Sequence, residues 1–334
     1  MVFNRIQRIW RPAVFHGRRD RQFEGWYYKL VDKAAQNVFA IIPGVIYNPH
    51  HGPNPYQSSH AFIQIFNGST GEYNYIPYEL EQFNAVSKEF LVKIGKNEFK
   101  TDQITLNIDR DNLVVMGVLR FLGLSPWPVG LLAPGAMGPL AFLPRLECFH
   151  AILSFNHQIQ GGFSINGSMY DFEGGKGYIG KEWGSSHPSS WIWIQSNHFK
   201  AEGTALNVSI AHIPYLLWKF PGFAVGFLYE NKLYRFTTYN RSKISDLEVE
   251  DHQVFMKISN RKHLLEVTAE QGSGAILRSP DKNGMLGEVF ESLVSTVIVR
   301  LFERREGKFA LVFEGKGYPA GMEVKGDMTE LRFG

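Results

Sequence analysis

The feature that most limits this fold is the absence of any long amphipathic helix in a chain built of short alternating segments cut by turn residues. Residues 23–30, 37–45, 60–66, 72–78, 90–94, 98–100, 104–109 and 113–121 have strand-type composition. Turns such as Asn67-Gly68-Ser69-Thr70-Gly71 and Gly95-Lys96-Asn97 separate them. Side chains alternate every two residues in a strand, so this spacing predicts a β-meander. The pattern resumes at 205–213 and continues through 223–229, 232–239, 247–251, 253–259, 264–270, 293–303 and 309–313. A single helical turn is expected at 214–220. The 33 glycines, 16 prolines and 14% aromatic residues agree with an all-β fold with few short helices.

At 334 residues the chain exceeds what one hydrophobic core ordinarily serves. Two packed halves are expected, an N-terminal β domain at 1–200 and a C-terminal one at 201–334. A short echo points the same way: Phe172-Glu173-Gly174-Gly175-Lys176-Gly177-Tyr178 returns as Phe313-Glu314-Gly315-Lys316-Gly317-Tyr318. Residues 122–144 break the pattern. They are almost uncharged, but five prolines forbid a regular spanning helix, and irregular backbone is not tolerated against lipid. The segment is expected to be a lid or pocket wall, or a loop packed over the core.

A net charge of +3 gives no argument for a nucleic-acid partner. Arg5, Arg8, Arg11, Arg18, Arg19 and Arg21 face one acid, Asp20. They predict a solvated arm or, alternatively, peripheral contact with an anionic lipid surface. The lone Cys148 excludes an internal disulfide and a cysteine-based zinc site, and its apolar neighbours suggest a buried small residue. His50, His51 and His60 lie in or beside a loop, and no metal site is expected there. The start of the chain shows no secretory signal, so cytoplasmic residence is expected.

Residues 145–199 concentrate the chemistry: Trp183, Trp191, Trp193, His150, His157, His187, Glu147, Asp171 and Glu182. Alternation places Trp191, Trp193, Gln195 and Asn197 in one column, either a lumen wall or ordinary packing. It also places Glu24, Trp26 and Tyr28 on one strand face, with Gly25 suggesting close approach to the backbone. Residues 167–171 read as a hairpin in which Asp171 serves the turn. Glu182 is either ion-paired with Lys181 or another base, or an acid. There is no P-loop, Gly-x-Ser-x-Gly elbow, His-Glu-x-x-His or Rossmann fingerprint, so no cofactor is called for. An aromatic pocket holding a carboxyl would raise its pKa and let it act as a general acid. Aromatic faces would stabilise a carbocation, by about 2 kcal/mol when desolvated. Glu182 and Glu24 are therefore the expected acids. Trp26, Tyr28, His150, Tyr178, Trp183, Trp191, Trp193, Gln195 and Asn197 are the expected substrate contacts.

The segments Phe23-Glu24-Gly25-Trp26-Tyr27, Glu147-Cys148 with His150, residues 175–179 through Trp183-Gly184, Pro188, and Trp191-Ile192-Trp193-Ile194-Gln195 resemble the tocopherol cyclase family. Residues 125–144, 210–214 and 317–324 and Tyr234-Arg235-Phe236 fit the same pattern. The resemblance implies two lipocalin-like or β-sandwich halves, distantly related to carotenoid hydratases and some Diels–Alder cyclases. It implies a lipophilic prenylated hydroquinone, closed to a chromanol by protonation of the prenyl double bond and attack of the phenol oxygen. It implies no metal or redox cofactor. Plant members have Asp or Asn where this chain has Glu182, and Phe where it has His187, so the role of Glu182 does not carry over. No plastid transit stretch is evident, which suggests a bacterial relative. A hydratase and a non-catalytic isoprenoid carrier are the alternative readings.

Overall fold

The computed structural model describes residues 7–17, 22–48, 52, 54–110, 112–144, 146–215 and 218–333. Arg5, Arg18, Arg19, Asp20, Arg21, His50 and His51 lie outside these residues. The chain forms two compact units, residues 1–187 with 278–288 and residues 188–277 with 289–334. The units therefore do not divide at 200. Trp191 and Trp193 belong to the second unit, and the first unit includes a remote stretch that no local composition marks.

The first unit holds β1 (Gln22–Val31), β2 (Val38–Tyr47), β3 (His60–Asn67), β4 (Glu72–Tyr78), β5 (Phe83–Val86), β6 (Leu91–Ile94), β7 (Asn97–Lys100), β8 (Gln103–Arg110), β9 (Leu113–Leu122), β10 (Cys148–Ile165), β11 (Ser168–Asp171) and β12 (Lys176–Gly184). They form one sheet in the order β4-β3-β2-β1-β12-β10-β9-β8-β7-β6-β5, with β11 on β10. Its core gathers Trp26, Tyr28 and Leu30 of β1, Ile179 of β12 and Leu153 of β10 with the inward residues of β2, β3 and β6–β9.

The second sheet holds β13 (Trp191–Ser196), β14 (Ala205–Tyr215), β15 (Trp218–Tyr229), β16 (Lys232–Thr237), β17 (Lys243–Glu250), β18 (Gln253–Ser259), β19 (His263–Glu270), β20 (Gly274–Asp281), β21 (Gly284–Arg305) and β22 (Lys308–Lys325). Its order is β16-β15-β14-β13-β22-β21-β19-β18-β17, with β20 on β21. The tip of the β20–β21 hairpin, residues 278–288, belongs to the first unit. Ile192 and Ile194 of β13 face the second core.

The two sheets repeat one strand order, the first extended by β6 and β5. The echoed segments occupy the same place in each. Gly177-Tyr178 lie in β12 and Gly317-Tyr318 in β22, and each of these strands pairs back onto the first strand of its unit.

Of residues 214–220, where a helical turn was expected, 216 and 217 lie outside the described residues and the others are strand. Pro214 and Tyr215 end β14, and β15 begins at Trp218. The last rung between β13 and β14 is Trp191↔Ala211, so Pro214 lies where its missing N–H breaks no bond to β13. Residues 122–144 contain one 3-10 helix, Gly138–Phe142. Trp127 anchors the segment, buried and stacked on Phe155 with ring centroids 5.8 Å apart. Leu131 and Leu132 stay 77% and 78% exposed. Among the described residues, no helix is long and apolar enough to cross a membrane.

Candidate functional site

β12 lies between β1 and β10, with Gly25↔Glu182 and Glu182↔His150 directly opposed. Cross-strand partners share a face and successive residues alternate, so these three strands present two distinct surfaces. One is the core face, carrying Glu24, Trp26 and Tyr28 of β1 and Lys181 and Trp183 of β12. The other carries Phe23, Gly25 and Tyr27 of β1, Tyr178, Gly180 and Glu182 of β12, and Cys148 and His150 of β10. The register of β2 and β3 adds Gly44 and Phe62 to the Glu182 row.

At one end of the core face, Glu24 and Lys181 form an ion pair with Nζ 2.6 Å from Oε1, both side chains without solvent exposure. The backbone N–H of His16 donates to both Glu24 oxygens at 2.9 and 3.1 Å, and Gln22 donates at 3.3 Å. Burial alone would raise the Glu24 pKa, but the Lys181 charge and the His16 contacts hold it below the usual carboxylate range. Burial lowers Lys181 to about 8 against the opposing pull of Glu24. Lys181 also donates to the Val14 carbonyl at 2.6 Å and lies 4.8 Å from the ring centres of both Trp26 and Trp183. An ammonium has only protons to offer, so His16 Nδ1, 2.9 Å away, accepts from it. Burial and the lysine charge lower His16 to about 4, and its ring is neutral. It stacks on Trp183 at 4.3 Å, and Trp183 stacks on Phe149 at 5.4 Å.

This corrects the assignment of Glu24. It is a buried carboxylate locked in an ion pair, not an un-ionised acid awaiting substrate. Trp26 and Tyr28 are core residues rather than pocket walls. The Trp26 indole donates to Ala13 O at 2.9 Å, and the Tyr28 hydroxyl donates to Lys100 O at 2.8 Å. His16 and the Glu24–Lys181 pairing escaped the sequence reading, which weighed Lys181 only as a partner of Glu182. The available signal was that Lys181 shares strand parity with Trp183 and Ile179, which also means it cannot pair with adjacent Glu182.

On the other face, Glu182 accepts from His150 Nδ1 at 3.1 Å and from His187 Nε2 at 2.9 Å. Burial acts to raise its pKa, but its side chain is 39% exposed, and the charge and hydrogen bonds of His187 and His150 prevail. Glu182 is therefore ionised and acceptor-only, which corrects its reading as a protonated general acid. Each carboxylate oxygen is taken by one ring. Among the described residues, no group of three His, Cys, Asp or Glu is arranged to hold a metal ion.

Aromatic side chains share this face. His187 meets Phe23 edge-on at 5.0 Å, and Tyr27 meets Tyr178 edge-on at 6.4 Å. Phe23, Ile46, Phe62 and Met285 form an apolar cluster bordered by Cys148 and Ile42. Burial and the neighbouring Glu182 and Glu147 push the Cys148 thiol well up, so it is no nucleophile. Farther along, the Tyr75 hydroxyl lies 2.6 Å from His60 Nε2, while His60 Nδ1 lies 2.7 Å from Ser58 O.

The remaining expected contacts lie in the second unit. Trp191 donates to Glu323 at 2.6 Å, and Trp193 donates to Asn207 at 3.2 Å. Gln195 and Asn197 are buried. Of the expected set, the structure groups His150, Glu182 and Tyr178 on one face, and Glu24, Trp26, Tyr28 and Trp183 on the other.

The tocopherol cyclase-like family matches residues 129–326. A probable tocopherol cyclase of rice (Oryza sativa subsp. japonica) is 26% identical over 200 residues, which are 57% of this chain and 42% of the rice protein. The tocopherol cyclase of maize (Zea mays) is 25% identical over 202 residues, 57% of this chain and 41% of the maize protein. The matched stretch thus spans less than half of either plant protein. Among solved structures, CghA superposes with a TM-score of 0.57 at 8% identity, covering 92% of this chain and 89% of CghA. A protein described as AttH from Nitrosomonas europaea gives 0.52 at 16% identity, covering 93% and 94%. These two likenesses concern the fold. With well over half of its length matched by one family model, the chain belongs to the tocopherol cyclase-like family.

Proposed function

We propose that this protein is a cyclase that closes a lipophilic prenylated hydroquinone or related isoprenoid by alkene protonation, with Glu182, His150 and His187 as its acid–base centre. The observation that carries this reading is one ionised carboxylate, 39% exposed, shared by two largely buried imidazoles on a face lined with aromatic rings. In ring closure a protonated imidazole gives its proton to the prenyl double bond and leaves a tertiary cation. The phenol oxygen attacks that cation, and its proton returns to an imidazole. Protons given and recovered balance, so the centre ends each turnover as it began. Glu182 fixes one nitrogen of each ring and compensates the positive charge that passes between them. Tyr27, Tyr178 and Phe23 are the rings placed to stabilise the cation, in the part first expected of the tryptophans. Trp183 points to the opposite face.

Hydration is the second reading, supported by the 39% exposure of Glu182, which admits water as the competing nucleophile. One incubation separates the outcomes. Product of unchanged mass and altered retention is expected from a prenylated hydroquinone. A gain of one water supports a hydratase, and tightly bound unchanged material supports a carrier. E182Q and H150Q are expected to lower turnover at least ~100-fold, the usual contribution of a positioned acid–base group, without loss of fold. Full activity in both would remove the centre from the mechanism.

A further inference from the structure

Gly25 is a glycine that the fold does not require. It lies mid-strand without a positive φ, and a Cβ built on it would meet nothing nearer than the Pro43 carbonyl oxygen at 3.9 Å, an ordinary contact. Strand interiors disfavour glycine, which gives up chain entropy and packs no side chain. Two nearby glycines on the same face differ. A Cβ on Gly44 would fall 2.3 Å from Phe62 Cζ, and one on Gly180 would fall 2.9 Å from the Tyr178 hydroxyl. Those two make room for side chains of the protein itself. At Gly25 no side chain other than those of its chain neighbours comes within 4 Å of that point.

The surroundings of Gly25 are defined by the register. Gly25 is opposite Glu182 on one side and Gly44 on the other, with Phe62 lying over Gly44. Phe23 and Tyr27 bound it along the strand. Strands are ~4.8 Å apart and rise ~3.3 Å per residue, so the β12 and β2 backbones lie about 10 Å apart across Gly25, and Phe23 and Tyr27 about 13 Å apart along it. A planar ring or a trisubstituted double bond is thin enough to lie flat against backbone that carries no side chain. Gly25 itself is half-buried, so this backbone is not sealed off.

We infer that Gly25 is a specificity-determining position: its missing side chain seats the planar reacting part of the ligand against the Glu182–imidazole centre. The inference rests on the function proposed above and names the place where that ligand lies. Larger side chains at this position cover that backbone stepwise, alanine slightly and valine fully.

The test compares wild type, G25A and G25V with a prenylated hydroquinone as probe, measuring binding by tyrosine and tryptophan fluorescence, turnover, and thermal melting. G44A serves as the structural control. Expected are melting temperatures for the Gly25 variants equal to or above wild type, a several-fold loss of binding in G25A and at least a tenfold loss in G25V. G44A is expected to melt lower. If both Gly25 variants bind and turn over as wild type does while E182Q is impaired, the Gly25 assignment falls and the proposed function stands. If wild type neither binds nor converts the probe, the functional reading falls and takes this inference with it.

Discussion

Replacing Lys181 by methionine tests the central electrostatic feature of the first unit. The substitution keeps most of the side-chain volume but removes the ammonium that sits 2.6 Å from Glu24 Oε1 and 2.6 Å from the Val14 carbonyl. Glu24 has no solvent exposure, so water cannot replace what is lost. Leaving a buried charge without its partner costs about 3–5 kcal/mol. At about 2–4 °C per kcal/mol for a unit of this size, the melting temperature should fall by roughly 6–20 °C. The pair itself is a different quantity from the cost of breaking it. In the double variant K181M/E24Q, glutamine keeps an acceptor for the His16 N–H while removing the orphaned charge. That variant should recover most of the loss, ending within about 2 kcal/mol of wild type. Urea unfolding of the four proteins in the cycle gives the coupling directly. The reasoning is refuted if K181M melts within 2 °C of wild type, or if the double variant is no more stable than K181M.

The pH dependence has a definite sign. Burial lowers His157 from the ordinary 6.5 to about 3 and contributes most to lowering His16 to about 4. Below pH 6.5 the unfolded chain therefore binds protons that the native state refuses. The contribution of these two residues is complete above pH 6.5 and is lost as pH falls toward 4 for His16 and 3 for His157. Each unit of that difference is worth about 1.4 kcal/mol. The urea midpoint should drop steadily from pH 6.5 to 4, and H157Q should flatten the slope; an unchanged slope would discount His157. A separate prediction concerns residues 129–132. Trp10 donates to the Leu131 carbonyl at 2.9 Å and meets Phe142 edge-on at 5.5 Å, beside the exposed Leu131 and Leu132. Vesicles containing anionic phospholipid should retain the protein in a salt-sensitive manner, and L131E/L132E should release it. Equal sedimentation of both proteins would show that this loop is not the contact.

Much of the architecture was legible because strand periodicity is local. Residues 23–30 and 113–121 announced β1 and β9, and the echo at Gly177 and Gly317 marked equivalent strands of two alike sheets. Alternation also placed Glu24, Trp26 and Tyr28 on one face correctly. It could not say which face was inside, because both surfaces of β1 carry aromatic residues and the inner one carries charge. That charge is tolerated only through a pairing across distant sequence, Glu24 of β1 with Lys181 of β12. The same limit hid the state of Glu182. A carboxylate among aromatic residues reads as a protonated acid until His150, on another strand, and His187 are found to be bonded to it. The unit boundary was missed for a related reason, since residues 278–288 join the first unit although the chain has long since left it.

That late return governs how the protein can assemble during synthesis. The hairpin tip supplies Met285 to the apolar cluster with Phe23 and Phe62, the Asn283 carbonyl to Asn48, and the Pro280 carbonyl to His187. The first unit is complete only after about a hundred further residues emerge, roughly 5–20 s later at ordinary elongation rates. A nascent chain halted near residue 190 would carry His187 with its backbone anchor not yet made, so the proposed acid–base cluster gains that anchor late although its residues are made early.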